Sequence, residues 1–291
     1  MTQKQPLLIT GGSGYLGSHL ATQASENYDV NVTYSSNPSA TIGTAHPLDI
    51  TNQGQVQKLI EQVKPQAIIH CIAANPGVDE NKMMAINAEG TRFVAESAVR
   101  LGIRLVHVST DALHDGKHPP YSDDAPPTPT NTYGQSKAKA EEYIKDIAPQ
   151  AAIVRTSLIY GLREMDRGTA GFVKRLDSGE PLILFKDVYR QPVWAKTLAT
   201  ALLKLAFDRQ DFSGILNVAG RQLISREDFG RLMLAWWGIK FDSEVKSGLG
   251  ADLPHPPPLN IGLLVDKGEA LLNMTFPGVE DVLAQAKMRQ R

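Results

Sequence analysis

The sequence has a single cysteine, no long hydrophobic run and almost no net charge. Its one cysteine, Cys71, cannot form an internal disulfide, which is typical of proteins from a reducing compartment. Cys71 lies in the apolar run 67–73, so we interpret it as a buried structural thiol. No apolar stretch is long enough to span a bilayer, and the run that begins at Leu7 is too short for a signal-peptide core. We therefore expect a cytoplasmic protein.

The charged residues nearly cancel, because 30 Lys and Arg stand against 31 Asp and Glu, for a formal net charge of −1. Such a chain has no overall field that would attract nucleic acid or an anionic membrane surface, so we expect neither as a partner. We also predict no bound metal ion, and we leave a homodimer open. With 291 residues, 42% of them hydrophobic, the chain can bury a large core as one domain or as a domain with a smaller lobe.

The first half of the chain alternates short apolar runs with longer amphipathic segments. Strands are predicted at 7–10, 29–34, 67–72, 104–109 and 152–156, and helices at 15–25, 53–63, 83–101 and 133–147. Alternating strands and helices favour right-handed crossovers and a parallel sheet with helices on both faces. The predicted fold class is therefore α/β, a doubly wound parallel sheet of the Rossmann type.

The alternation becomes irregular after about Gly161. Helices are predicted there at 168–176, 195–207, 226–237 and 265–272, with short strands at 182–185 and 215–218. Proline removes N–H donors and fixes φ, so the proline-rich segment 253–258 is interpreted as a surface loop. We divide the chain into a dinucleotide-binding domain at 1–161 and a smaller C-terminal α/β lobe at 162–291, which binds substrate and returns in part to the core sheet.

A glycine-rich turn connects the first predicted strand to the first helix. Gly11, Gly14 and Gly17 have the spacing G-x-x-G-x-x-G. A Cβ at the first two positions would block the tight turn and the approach of a pyrophosphate, and the third glycine lets helix and strand pack closely. The helix N-terminus adds partial positive charge. An ordinary βα turn is the alternative, but the context favours a dinucleotide site. Its predicted loop contacts are Gly11, Ser13, Gly14, Tyr15, Leu16 and Gly17.

The end of the second strand bears on the choice of cofactor. NAD sites place an Asp or Glu there, where it binds the ribose hydroxyls. This chain has Tyr34, Ser35 and Ser36 instead, with no carboxylate to repel a 2′-phosphate. We predict NADPH, with NADH as the alternative.

Tyr133 and Lys137 are four residues apart, so they lie on one face of a helix. A phenol has a pKa near ~10, and a nearby ammonium lowers it, which would make the phenol a usable proton donor and acceptor. The lysine can also reach ribose hydroxyls. An exposed pair on an amphipathic helix is the alternative. Thr110 follows a predicted strand, where a hydroxyl can bond a substrate carbonyl, although Ser109, Thr110 and Asp111 could equally shape a turn.

Together these motifs resemble the extended short-chain dehydrogenase/reductase superfamily, and within it the dTDP-4-dehydrorhamnose reductases and related sugar-nucleotide-binding proteins. The resemblance implies that Tyr133 is the general acid that protonates a carbonyl oxygen. It implies that Lys137 lowers the pKa of Tyr133 and binds the nicotinamide ribose, and that Thr110 bonds the same oxygen. The matching stretches are 10–17, 33–34, 48–51, 85–90, 105–116, 133–137 and 154–161, with weaker matches at 190–193 and 216–220.

The resemblance also implies further cofactor contacts. Asp49 and Ile50 would flank the adenine, and Asn87 would steady the backbone near the cofactor path. For Asp49 the alternative is a helix cap after Thr51. With the second-strand residues, the full implied set is Tyr34, Ser35, Ser36, Asp49, Ile50, Ala73, Ala74, Asn87, Tyr133 and Lys137.

Two positions depart from the reductase pattern. Ala112 replaces the tyrosine of Asp-Tyr-Val-Phe-Asp-Gly, and Leu158 replaces the tryptophan of Arg-Thr-Ser-Trp. Both losses alter the expected sugar pocket, while the chemistry remains available. Cations that could bind a substrate diphosphate are Arg163, Lys174, Arg175 and Arg221, although each also fits a solvated surface charge.

The function predicted from the sequence is NAD(P)H-dependent reduction of a carbonyl, on a 4-keto-6-deoxy sugar nucleotide or a related compound. Two alternatives stay open: an epimerase that keeps its nicotinamide bound, and a non-catalytic NADP(H)-binding regulatory subunit. Dehydration is disfavoured, because Ala112 stands where dehydratases of the superfamily have glutamate after Asp111. Retention of Thr110, Tyr133 and Lys137 argues against a pure binder, which has no need of a proton donor.

Overall fold

A computed structural model of the protein describes residues 4–38, 42–240 and 244–289. The strands are β1 (Gln5–Thr10), β2 (Tyr28–Tyr34), β3 (Thr44–Pro47), β4 (Ala67–His70), β5 (Arg104–Thr110), β6 (Ala152–Thr156), β7 (Ile159–Tyr160), β8 (Leu182–Phe185), β9 (Tyr189–Arg190), β10 (Val193–Trp194), β11 (Gly214–Asn217), β12 (Ile224–Ser225) and β13 (Val245–Gly248). The helices are α1 (Tyr15–Ala24), α2 (Gln53–Val63), α3 (Glu80–Met84), α4 (Gly90–Arg100), α5 (Thr132–Ile147), α6 (Arg167–Asp177), α7 (Ala195–Leu203), α8 (Arg226–Trp236), α9 (Asp266–Leu272) and α10 (Val279–Arg289).

Seven strands form one parallel sheet in the order β11-β6-β5-β4-β1-β2-β3. The order reverses between β1 and β4, so the carboxyl ends of these two strands mark the switch point where open α/β sheets bind ligands. The predicted doubly wound α/β fold is confirmed. Outside this sheet, three two-stranded sheets join β7 with β10, β9 with β12, and β8 with β13. None of the helices in the described ranges is both long and apolar enough to cross a membrane.

Apolar side chains of the buried strands alternate between two cores. Leu7 and Ile9 pack with α1 and α7 on one face, and Leu8 packs with α2, α4 and α5 on the other. Because successive side chains of a strand point to opposite faces, a continuous apolar run identifies a strand that is covered on both sides. This packing fixes the strand ends, and therefore the site residues that follow them.

Several segments differ from the sequence prediction. The edge strand β3 was not predicted, since its four residues show no apolar alternation and end in Pro47. The helix predicted at 83–101 begins earlier, at Glu80, and a π-helical segment at Ala85–Glu89 separates α3 from α4. Cys71 is partly rather than fully buried, and burial raises the pKa of its thiol to about 12. The thiol is therefore uncharged, which fits a structural role.

A buried ion pair links β6 to α5 beneath the site. Arg155 and Glu141 are almost inaccessible to solvent, and Arg155 Nη2 lies 2.8 Å from Glu141 Oε2. Arg155 Nε donates to Glu141 Oε1 at 3.0 Å, and Ser109 Oγ donates to the same oxygen at 2.7 Å. These contacts join β6 to β5 and α5, the two elements that bear the catalytic candidates.

His114 is a buried imidazole without a polar partner in the described structure. Its ring is inaccessible to solvent and stacks on Tyr121 with the ring centroids 3.9 Å apart, and neither nitrogen has a hydrogen-bond partner. Burial lowers the pKa of His114 to about 4, and the positive charge of Arg155 adds to the shift. The reductase pattern has phenylalanine at this position, so His114 fills an apolar place with a polar ring.

Replacing His114 with phenylalanine is expected to stabilise the fold and to reduce its acid sensitivity. Removing unpaired buried nitrogens should raise the free energy of unfolding by about 1–3 kcal/mol. Because the folded pKa lies below the unfolded value, the unfolded state binds the extra proton as the pH falls, and about 2 kcal/mol of stability is lost between pH 7 and pH 5. Because the buried His70 and His107 cost stability over the same pH range in both proteins, urea unfolding should show a loss about 2 kcal/mol larger in the native chain than in His114→Phe. Equal losses in both proteins would contradict this account of His114.

Candidate functional site

The glycine loop forms a tight backbone cradle after β1. Gly11 has a φ of +79°, which favours glycine, and its N–H donates to Thr33 Oγ1 at 2.9 Å. A Cβ on Gly17 would collide with the carbonyl oxygen of Gly11, so this glycine lets α1 pack directly against the loop. Gly14 is the N-cap residue of α1, and no side chain caps the first N–H groups of that helix. The loop and helix end therefore fit the diphosphate of a dinucleotide.

Tyr15, the next loop residue, contacts the C-terminal part of the chain. Its hydroxyl donates to the carbonyl oxygen of Glu164 at 3.0 Å, and its ring meets His19 edge-on. A Cβ on Gly161 would collide with the same hydroxyl, so the segment after β7 approaches the loop closely. The structure thus brings the segment 161–164 beside the predicted cofactor cradle.

Asn87 fixes the backbone next to the switch point. It lies in the π-helical segment, a type of distortion that is frequent at functional sites. Its Oδ1 accepts from the N–H of Ala74 at 2.6 Å, and its Nδ2 donates to the carbonyl oxygen of Ala74 at 3.0 Å. Nδ2 also donates to Ser136 Oγ at 2.9 Å. Asn87 therefore ties the loop after β4 to α5.

Other predicted cofactor residues lie around the same edge of the sheet. Tyr34 is partly buried at the end of β2, and Ser35 and Ser36 are exposed. Ile50 is buried against the start of α4, where a Cβ on Gly90 would meet its side chain. Ser13 and Leu16 lie in the glycine loop and in α1, and Ala73 lies next to Ala74.

Asp49 does not cap α2. Its Oδ1 accepts from the N–H of Thr51 at 2.9 Å and from the Thr51 hydroxyl at 2.7 Å, and these bonds lower the pKa of the carboxyl group. The helix is capped instead by Asn52, whose side chain accepts from the N–H of Gln55. The capping alternative for Asp49 is therefore wrong, because Asn52, the residue directly before the helix, is its N-cap.

Tyr133 and Thr110 meet where α5 approaches the end of β5. Asn131 caps α5, and Gly134 lies so close to the carbonyl oxygen of Ala112 that a Cβ would collide with it. Thr110 is buried, and its Oγ1 accepts from the N–H of Ala112 at 3.1 Å. The Thr110 side chain also lies close enough to Tyr133 to affect the pKa of its phenol. The two hydroxyls are therefore placed together at the carboxyl end of the sheet.

The pKa of Tyr133 is raised to about 12, opposite to the expected direction. Burial is the main cause, the Thr110 side chain partly opposes it, and the negative charge of Asp111 adds to the rise. Lys137 does not lower this pKa as predicted, because its Nζ donates to His107 Nε2 at 3.0 Å and to the carbonyl oxygen of Val108 at 2.8 Å. At neutral pH the phenol is therefore protonated.

Lys137 is buried beneath Tyr133 on the same helix. Burial lowers the pKa of its ammonium group to about 8, while the nearby Glu141 opposes the shift. The group is therefore still mostly charged at neutral pH. It loses that charge as the pH rises through about 8, which would weaken any contact that depends on the positive charge.

Two arginines that the sequence analysis did not propose lie near the end of β5. Burial lowers the pKa of both Arg190 and Arg226, and the charge of Arg190 further lowers that of Arg226. The charge of Arg190 opposes the rise that burial produces in the pKa of Asp111. Neither guanidinium has a carboxylate oxygen within 4.0 Å among the residues that the structure describes. Two neighbouring cations without a paired carboxylate favour the binding of an anion between them.

A model of the RmlD substrate binding domain matches residues 5–258. The chain belongs to this family. Within residues 4–38, 42–240 and 244–289, no group of three or more His, Cys, Asp or Glu side chains could hold a metal ion.

Similar proteins support the same assignment. A probable low-salt glycan biosynthesis reductase of Haloferax volcanii is 30% identical over 288 residues, covering 95% of each chain. A dTDP-4-dehydrorhamnose reductase of Mycobacterium tuberculosis is 30% identical over 268 residues, covering 88% of this chain and 83% of that one. The structure of dTDP-4-dehydrorhamnose reductase from Bacillus anthracis in complex with NADP has a TM-score of 0.82 at 26% identity, covering 99% of this chain and 100% of that one. The predicted reductase of the extended short-chain dehydrogenase/reductase type is confirmed.

The four cations suggested from the sequence lie at the surface, and Arg163 among them belongs to the segment 161–164 beside the glycine loop. Arg221 is ion-paired with Asp266 and Glu269 at the surface. The other three are exposed: Arg163, Lys174 and Arg175. Arg190 could have been predicted from the sequence, since it is the first residue of one of the weaker matching stretches, 190–193. Arg226 had no such signal, because only the fold brings the start of α8 beside β9.

Proposed function

We propose that the protein uses NADPH to reduce the 4-keto group of a 4-keto-6-deoxy sugar nucleotide. The observation that supports this most strongly is the meeting of the Tyr133 and Thr110 hydroxyls beyond the end of β5, in a chain of the RmlD family. Lys137 lies one helical turn from Tyr133. These residues and the glycine loop lie along the carboxyl edge of one sheet, as a reaction between cofactor and carbonyl requires.

The cofactor proposed is NADPH. When bound, it supplies a hydride to the carbonyl carbon. The glycine loop and the uncapped N-terminus of α1 bind the diphosphate, and the hydroxyls of Ser35 and Ser36 are available to a 2′-phosphate. No carboxylate occurs in residues 34–38 to repel that phosphate. The Bacillus anthracis relative in complex with NADP supports the same choice.

Tyr133 acts as the proton donor in this proposal. A carbonyl oxygen becomes an alkoxide during reduction and needs a proton, and the raised pKa of Tyr133 keeps its phenol protonated at neutral pH. Thr110 bonds both the phenol and the substrate oxygen, so that the proton points along the path of transfer. The charged Lys137 binds the ribose hydroxyls of the cofactor, so it orients the nicotinamide rather than the phenol.

The substrate is bound by the C-terminal segment 162–291, which supplies Arg190 and Arg226. We propose that these arginines hold the diphosphate of the sugar nucleotide, because they are neighbouring cations without a paired carboxylate. Leu158 packs in an apolar cluster with Tyr160 and Phe229. With Ala112 in place of tyrosine, the sugar would meet a less aromatic wall than in the reductase pattern.

Replacing Arg226 with methionine is expected to raise the KM for the sugar nucleotide about 10- to 100-fold and to change kcat much less. The arginine would contribute a charge-assisted bond to a diphosphate that does not change during the reaction, so its loss weakens substrate and transition state alike. Steady-state rates at saturating NADPH measure both constants. Arg175→Met is the matched control, since Arg175 lies on the exposed face of α6. An unchanged KM in Arg226→Met would show that the diphosphate binds elsewhere.

The function itself is tested by following NADPH absorbance with dTDP-4-keto-6-deoxyhexose as the acceptor. We expect oxidation of NADPH in preference to NADH, and much slower oxidation with the same keto sugar lacking the nucleotide. If neither form of the sugar is reduced while NADPH binds, the enzyme acts on another carbonyl compound or on none.

We further propose a cytoplasmic enzyme that works on a small molecule, without a nucleic acid or membrane partner. The net charge of −1 and the single cysteine support this. The same reasoning leaves monomer and homodimer as alternatives, which light scattering after size-exclusion chromatography separates.

A further inference from the structure

Lys137 is held from one side by strand β5. Its side chain is almost inaccessible to solvent, and its Nζ lies 3.0 Å from His107 Nε2 and 2.8 Å from the carbonyl oxygen of Val108. An ammonium group has three N–H donors and accepts no hydrogen bond. Two donors are therefore directed to β5, and the direction of the third follows from them.

His107 has no other polar contact among the described residues. Its ring is inaccessible to solvent, and its Nδ1 has no hydrogen-bond partner. Because the charged Lys137 donates to Nε2, a neutral imidazole carries its proton on Nδ1, where it goes unused. Buried polar atoms are almost always paired, so a buried imidazole with an unpaired nitrogen is costly to keep. The only hydrogen bond of the His107 side chain among the described residues goes to Lys137, which indicates that this bond has a role.

A second histidine fixes the plane of the His107 ring. The rings of His70 and His107 stack with centroids 5.3 Å apart. Thr91 Oγ1 donates to the carbonyl oxygen of Asn87 at 2.7 Å, so it accepts from His70 Nε2 at 3.0 Å. His70 Nδ1 in turn accepts from Thr10 Oγ1 at 2.6 Å. His70 is therefore locked on both sides and supports the neighbouring ring.

Both imidazoles are uncharged. Burial lowers the pKa of His70 to about 3 and holds that of His107 well below its usual range, and the charge of Lys137 adds to both shifts. The other ionisable groups around Lys137 are Glu141 on α5, which is paired with Arg155, and Cys71 after β4, whose thiol is uncharged. His107 therefore remains a hydrogen-bond acceptor for Lys137 over the working pH range.

We propose that His107 is a positioning residue for Lys137, whose Nε2 fixes the rotation of the ammonium group so that its third N–H faces the cofactor side of the site. This inference rests on the proposed function, in which Lys137 binds the nicotinamide ribose. An apolar residue of similar size could fill the same space but would leave the ammonium group with a single acceptor. His70 contributes to the same positioning, because its ring stacks on that of His107 and keeps the Nε2 acceptor in place.

The test compares His107→Leu with His107→Gln. Leucine removes the acceptor, whereas the side-chain amide oxygen of glutamine can replace Nε2. We expect His107→Leu to raise the dissociation constant for NADPH about tenfold, measured by cofactor fluorescence without substrate, and His107→Gln to recover most of the affinity. Binding should also begin to weaken at a lower pH in His107→Leu, since the charged form of Lys137 has lost one acceptor. Native affinity and an unchanged pH profile in His107→Leu would overturn the proposal.

A measurement on the native protein tests the same proposal even if the His107 variants do not fold. In protein labelled with ¹⁵N-histidine, the His107 signal is identified by its loss in His107→Gln. We expect Nε2 to be the unprotonated nitrogen and its shift to move in Lys137→Met. A protonated Nε2 would overturn the proposal. If NADPH binding follows the expected pattern while the keto sugar is not reduced, the proposed function fails and the positioning role stands.

Discussion

Replacing Tyr133 with phenylalanine is expected to lower kcat by about 10²- to 10⁴-fold, the range over which a positioned proton donor contributes to catalysis. The substitution removes one hydroxyl and keeps the ring, so the packing of α5 should not change. NADPH affinity should stay within a few-fold of the native value, because Lys137 and the glycine loop are untouched. Single-turnover oxidation of NADPH with the sugar nucleotide separates the chemical step from product release.

Tyr143→Phe is the matched control, since it removes a hydroxyl from the same helix. The Tyr143 hydroxyl donates to Glu89 Oε1 at 2.7 Å, in a contact between α5 and the π-helical segment. Its loss should leave kcat near the native value. If Tyr133→Phe and Tyr143→Phe react at similar rates, Tyr133 is not the proton donor.

Replacing Arg155 with methionine is expected to lower the free energy of unfolding by about 3–5 kcal/mol. Arg155 and Glu141 are both buried, so the substitution leaves the Glu141 carboxylate without the arginine that pairs with it. The remaining bond from Ser109 does not neutralise that charge. Urea unfolding at pH 7 measures the loss, and the double variant Arg155→Met/Glu141→Leu should recover much of it, since it also removes the carboxylate that the single variant leaves without its arginine.

Arg100→Met provides the comparison on the surface. Arg100 pairs with Glu61, but both side chains are about half exposed, so breaking this pair should cost less than about 1 kcal/mol. The same residue types and the same substitution are compared, so the two pairs differ in burial and in the bonds that Arg155 also donates to the carbonyl oxygens of Asp123 and Ala125. Equal losses at the two arginines would contradict the account of the buried pair.

The sequence predicts the elements of the sheet where local pattern determines them. β1 and β4 are apolar runs covered on both faces, and Gly11 and Gly17 are required by backbone geometry that no other residue tolerates without strain. β3 cannot be predicted from its local sequence pattern, since it forms only by pairing with β2 at the edge of the sheet. Short strands such as β9 and β12 depend in the same way on each other.

The residues of the candidate site also divide into those that local sequence predicts and those that depend on tertiary contacts. Tyr133, Lys137 and Thr110 are recognised by spacing and by their place after predicted elements. The direction of the Lys137 side chain cannot be recognised in this way, because it is set by His107, which is thirty positions away in the chain. For that reason the expected effect of Lys137 on the pKa of Tyr133 was wrong, and burial is the main cause of the observed rise. Arg226 likewise reaches the site only through tertiary packing.

The central claim is that this chain transfers a hydride from NADPH to the carbonyl carbon of a sugar nucleotide while Tyr133 donates the proton. The most direct test is to incubate the enzyme with NADPH deuterated at C4 of the nicotinamide and dTDP-4-keto-6-deoxyhexose, and to locate the deuterium by mass spectrometry and NMR. The account predicts deuterium on C4 of the sugar with the native chain and almost none with Tyr133→Phe. A reduced sugar without deuterium, or labelled sugar formed equally fast by Tyr133→Phe, would contradict it.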